Sequence, residues 1–342
     1  SSLPKRLVAE LFAGPSGLST EGVEMMKSKM TLRLLLAGLL AAVLTPSAVA
    51  QKAAQAAEEA KDGVRDLVLP SGDGWPIHCT YFESSAGKES ACVILLTSTA
   101  GDGDASARNR RVWQPTAVEL QKAGFAVITV DLRKHGDSIP VGPDGNPLPV
   151  KMVNADYPIM ASGDLGSVKA FLLSEHQREA LNVRKLGIVA MGSSTMVAAA
   201  FAVEDWARKP YPDAPTLDQR TPRGQDVRAI MMYSPTTDVR GIRGTTILRT
   251  LKTLPVPVYT VVGGNNRVDA REAEKVFQAV ELKGDQFEDS RKIVVAPLAA
   301  HAEDFLQGRL AAASQKDIKE FLTKYLMGLE FPWMDRTDRR TR

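Results

Sequence analysis

The chain is poor in the residues that mark metal, redox and nucleic-acid proteins. Its 342 residues hold two cysteines and four histidines. The histidines, His78, His135, His176 and His301, are scattered without metal-ligand spacing, so neither a metal nor a cofactor is expected. Charge of one sign is also scarce, with 43 Lys+Arg against 40 Asp+Glu. Beyond residue 50 the basic excess falls to one, which leaves no electrostatic footprint for nucleic acid. No internal repeat stands out. Long apolar runs are lacking except at residues 34–44, and that run is too short to span a bilayer comfortably.

What surrounds this run explains it. Lys27, Lys29 and Arg33 precede it, Pro46 follows, and Ala48-Val49-Ala50 closes the segment. A basic stretch, a short apolar core and a small-x-small ending together describe a signal peptide over residues 26–50. No cysteine follows the apolar core, which argues against a lipid anchor. Residues 1–25 are expected to lie upstream of the true start, at Met26 or Met25 beside it. The expected product is secreted or periplasmic, begins at Gln51, and makes no stable membrane insertion after cleavage. Residues 51–65 are expected to be a linker, and residues 331–342 a basic tail.

The body alternates strand-like and helix-like stretches. Residues 66–69 and 76–82 read as two strands joined by the turn cluster Ser71-Gly72-Asp73-Gly74. Continuous apolar runs at 91–96, 125–130 and 186–191 suit strands buried on both faces of a parallel sheet. Three more strands are expected at 229–233, 258–262 and 293–296. Intervening segments carry apolar residues at helical spacing, such as Trp113, Ala117 and Leu120, or Leu165, Val168 and Leu172. The expected fold is α/β: a mostly parallel twisted sheet of about eight strands with helices on both faces, over residues 66–330.

Short motifs at the strand ends carry a more specific resemblance. Asp131-Leu132-Arg133-Lys134-His135-Gly136-Asp137-Ser138 resembles the D-x-R-G-H-G-x-S segment of α/β-hydrolases. Ser234-Pro235-Thr236-Thr237-Asp238-Val239-Arg240-Gly241 is similar to their S-P-x-x-D-Y-R-G segment. Residues 261–266 stand where that family has V-x-G-x-x-D, and Ala299-Ala300-His301 where it has G-x-x-H. The resemblance implies the α/β-hydrolase fold without a large lid domain, because the stretch after the sixth strand is short. It also implies serine chemistry on an ester or amide small molecule, with His301 as the catalytic base. With about 4.8 Å between neighbouring strands, that fold's strand order holds Cys79 and Cys92 beyond disulfide reach, because another strand lies between theirs.

The family's nucleophile sits in G-x-S-x-G on a strained turn between strand and helix, and this chain lacks that motif. Two registers are open. In one, Ala190-Met191-Gly192-Ser193-Ser194 replaces it, Gly192 takes the nucleophile position and nothing can attack. In the other, Gly192-Ser193-Ser194-Thr195-Met196 makes Ser194 the nucleophile, with Met196 where a small residue belongs. The acid is equally open. Asn266 occupies the family's aspartate position. Asp269 could substitute, but Asp269-Ala270-Arg271-Glu272 also reads as a helix capping box, and Asp238 after the sixth strand is a further option. Thr97 and Ser98 replace the usual H-G of the oxyanion loop. Impaired catalysis is therefore expected, against two alternatives: an active serine hydrolase using Ser194 and His301, or a scaffold that binds a small molecule or protein.

Overall fold

A computed structural model of the chain describes residues 62–99 and 108–341. The proposed upstream segment, the signal peptide and most of the expected linker lie outside these residues. Eight strands form one sheet: β1 (Val64–Pro70), β2 (Pro76–Phe82), β3 (Cys92–Leu96), β4 (Ala126–Val130), β5 (Leu186–Met191), β6 (Val227–Tyr233), β7 (Val258–Gly263) and β8 (Arg291–Ala296). Their spatial order is β1-β2-β4-β3-β5-β6-β7-β8. The first two pairings, β1 with β2 and β2 with β4, are antiparallel, and every later one is parallel. The first strand thus begins two residues inside the expected linker.

The continuous apolar runs are explained by burial on both sides. In β3, Cys92, Ile94 and Leu96 enter one core and Val93 and Leu95 the other, as the two-residue period of a strand requires. The first core is covered by helices α2 (Leu165–Gln177), α3 (Ser194–Ala207), α4 (Gly244–Lys252) and α5 (Arg267–Val280). The second is covered by α1 (Gln114–Lys122) and α6 (Ala311–Leu322). Between β6 and β7 the chain adds only a loop and α4, so no lid domain is inserted there. Cys79 and Cys92 are both free and buried, on strands separated by β4.

The end of the chain corrects one expectation. Residues 331–336, placed in the basic tail, are strapped across the edge where β5 and β6 begin. Trp333 Nε1 donates to the His176 carbonyl at 2.7 Å, and Arg336 pairs with Asp226 at 2.6 Å. Asp226 also pairs with Lys169 at 2.6 Å, and the fully buried Lys169 reaches Asp205 on α3 as well. A buried cation next to two carboxylates needs this pairing, since an unpaired buried charge is strongly disfavoured. The tail's arginine therefore completes a structural ion network.

Candidate functional site

The turn after β5 resolves the open register. Gly192 carries φ +55°, a left-handed conformation that favours glycine, and its N–H donates to the Tyr233 carbonyl at 2.9 Å. The sharp apex is therefore Gly192, and α3 starts at Ser194. A Cβ at Gly192 would lie 2.9 Å from the Ser98 Cβ, a separation real side chains essentially never show. Ser194 is fully buried, and its hydroxyl donates to the Met191 carbonyl at 2.8 Å. Thr195 is likewise buried, bonded to the Gly192 carbonyl at 2.6 Å, while Ser193 is half-buried on the turn. Among the described residues no hydrogen bond joins Ser194 to His301.

His301 follows β8 in a loop on the same side of the sheet. Its ring is half exposed, and Nδ1 meets Asp269 Oδ2 at 2.5 Å. With Asp269 ionised, Nδ1 carries the hydrogen and Nε2 keeps its lone pair, the orientation a general base requires. The expected capping role of Asp269 is thus corrected. Asn266 is the N-cap of α5, its side-chain oxygen accepting from the Asp269 N–H at 3.3 Å, and its amide steadies Asp269 Oδ2 at 2.7 Å. The acid that meets the histidine has moved one helical turn, because positions three residues apart share a helix face.

Two neighbouring assignments change for the same reason. Glu272, the other half of the expected capping box, instead accepts from the Thr237 N–H at 3.1 Å and hydroxyl at 2.8 Å, pinning the loop after β6. Burial works against its charge, but hydrogen bonds from Lys275 and Thr237 outweigh it and hold its pKa down to about 2. Asp238 is exposed on that loop, away from any hydrogen bond to His301. Ser234 and Ala302 hold φ +46° and +45° and touch, the Ala302 N–H donating to Ser234 Oγ at 3.0 Å. Such non-glycine outliers are costly and tend to gather where loops are held in a functional arrangement.

The segment resembling D-x-R-G-H-G-x-S is a structural anchor. The buried Asp131 accepts from the Arg110 N–H and guanidinium, both at 2.6 Å, and Arg133 grips Asp164 at 2.7 Å. At Gly136, φ +48°, a Cβ would fall 2.5 Å from the Asp131 carboxylate, so glycine alone lets the chain close over that ion pair. His135 is buried with Nδ1 2.8 Å from the Arg133 carbonyl, and burial pulls its pKa down.

Thr97 and Ser98, at the end of β3, are buried beside the elbow. Here the structure brings in two residues that no sequence motif flagged. The Ser98 N–H donates to Glu303 Oε1 at 2.6 Å and its hydroxyl to Oε2 at 2.9 Å, while Arg108 Nε donates to the same hydroxyl at 3.0 Å. Glu303 lies two residues after His301, which was the sole hint. Among the described residues no cluster of three or more His, Cys, Asp or Glu suits a metal ion, and no helix is long and apolar enough to cross a membrane.

No protein-family model matches the chain, and no curated protein matches it in sequence. Solved structures do match. A dienelactone hydrolase from Anabaena variabilis ATCC 29413 aligns at TM-score 0.51 and 16% identity, over 77% of this chain and 99% of that one. Esterase 2 of Thermogutta terrifontis, phosphoramylated by tabun, aligns at TM-score 0.51 and 13% identity, over 78% and 96%. DcsB, in complex with its substrate analogue, aligns at TM-score 0.54 and 13% identity, over 78% and 100%. With its strand order and these likenesses, the chain has the α/β-hydrolase fold.

Proposed function

We propose that this is an exported α/β-hydrolase-fold protein that has lost elbow-serine hydrolysis and uses the retained scaffold to bind a small molecule. One observation carries the proposal: the left-handed apex is Gly192, which has no side chain to attack with. Ser194, the remaining candidate, spends its hydroxyl on the Met191 carbonyl within the buried start of α3. Proton transfer needs serine oxygen and imidazole nitrogen within about 2.6–3.2 Å, and no such contact exists among the described residues.

A second reading has its own support in the His301–Asp269 contact at 2.5 Å. That pair retains the base and its orienting acid, and could activate water for slow general-base hydrolysis of a bound ester. The two are separated with p-nitrophenyl acetate and a fluorophosphonate probe on the mature protein. Loss of the nucleophile predicts no labelling at the elbow and no effect of Ser194→Ala. Slow hydrolysis abolished by His301→Ala without labelling would favour the second reading. Labelling of Ser194 would overturn both. Export is tested separately, by mass spectrometry of protein from the cell envelope or medium, where Gln51 should be the first residue.

A further inference from the structure

Hydrolases of this fold stabilise an oxyanion with two backbone N–H groups, one after the elbow apex and one from the loop after the third strand. The corresponding donors in this chain are Ser193 and Ser98. The Ser193 N–H makes no hydrogen bond among the described residues. The Ser98 N–H is taken by Glu303. Both carboxylate oxygens of Glu303 are engaged, Oε1 by that N–H at 2.6 Å and Oε2 by the Ser98 hydroxyl at 2.9 Å. Arg108 Nε donates to the same Ser98 hydroxyl at 3.0 Å. A carboxylate leaves water only where charge-assisted hydrogen bonds replace its hydration. Glu303 is half-buried and is carried on the short turn Ala302–Leu306, which starts at the left-handed Ala302.

The donors therefore match a planar carboxylate held in two-point fashion, with the Arg108 guanidinium bonded to the Ser98 hydroxyl rather than to the carboxylate itself. The space a nucleophile would use is closed. A Cβ at Gly192 would meet Ser98 at 2.9 Å, so the place of a serine ester is taken by the very residue that grips the carboxylate.

We propose that the donors at the end of β3, beside the elbow, form a binding site for a small carboxylate, with Glu303 as its internal occupant. A ligand carboxylate displaces the Glu303 side chain and takes its bonds to the Ser98 N–H and hydroxyl beside Arg108. This rests on the loss of the nucleophile, since a working elbow would use the same donors for a transient oxyanion.

The test measures benzoate and the neutral isostere benzamide by calorimetry on the full chain. Removing the occupant in Glu303→Ala should tighten benzoate at least tenfold and leave benzamide unchanged. Glu303→Gln should fall between, because its amide oxygen still accepts the Ser98 N–H. Adding Arg108→Gln should abolish the gain. Unchanged benzoate affinity in Glu303→Ala, or an equal gain for benzamide, would overturn the proposal. Should the variants fail to fold, the Ser98 amide resonance of the unaltered protein is followed instead. It should shift as benzoate is added, and an unmoved resonance at saturation would also overturn the proposal. Turnover of p-nitrophenyl acetate with covalent labelling at the elbow would sink the no-nucleophile reading alone, leaving the binding result to stand separately.

Discussion

Placing a methyl group at the apex tests the geometry on which the functional proposal depends. Gly192→Ala forces an L-residue to hold φ +55°, which costs about 1–2 kcal/mol. The new Cβ also lies 2.9 Å from the Ser98 Cβ, on buried chain with little room to yield. Overpacking of this kind adds about 1–3 kcal/mol. Offset slightly by the loss of glycine's freedom in the unfolded chain, about 0.4–1 kcal/mol, the net destabilisation should be roughly 2–4 kcal/mol. Ser98→Gly removes the colliding atom, so it should cancel the overpacking part but not the dihedral part. Urea unfolding of both single variants and the double variant closes a cycle whose coupling energy should equal the relieved overpacking, about 1–3 kcal/mol, within the range of about 0.5–3 kcal/mol found for residues in contact. An apex variant within about 0.5 kcal/mol of the parent would refute the left-handed assignment. Strictly additive variants would refute the crowding by Ser98.

Two further outcomes follow from buried groups. Burial pushes the Cys79 and Cys92 thiols far up, so both should resist iodoacetamide in the folded protein and both should react after denaturation without reductant; a resistant pair would reveal a disulfide. Burial pulls the His176 pKa below 6.5, although both ring nitrogens face carbonyls that oppose this, Nε2 the Met334 oxygen at 2.8 Å and Nδ1 the Leu181 oxygen at 3.1 Å. Below pH 6.5 the unfolded chain binds a proton that the fold resists, so this contribution to stability is complete above that pH and lost as pH falls towards the folded pKa. Thermal melts between about pH 7.5 and 5 should show the midpoint falling, less steeply in His176→Gln, and equal slopes would remove His176 as a cause.

Local chemistry made much of the molecule legible in the sequence. Apolar runs such as residues 92–96 can be satisfied only by burial on both faces, and their alternation with helical spacing leaves few topologies besides a mostly parallel sheet. The segments after β4, β6 and β8 announced the fold because each carries charged or small residues forced by a tight turn, as Gly136 is by the Asp131 carboxylate. The site was legible only as a set of alternatives. Gly192, Ser193 and Ser194 are all small, so composition could not say which one the strand delivers to the apex; the Tyr233 carbonyl that ends the β5–β6 pairing decides it. Asp269 reaches His301 across 32 positions of chain, a contact between the first turn of α5 and the loop after β8 that neither segment's own pattern encodes. The same holds for Glu303 on Ser98 and for Arg336 on Asp226, which are 205 and 110 positions apart. Burial pattern and turn chemistry are local and written in the chain, whereas the pairing of a charge with its partner is settled only when the sheet brings its loops together.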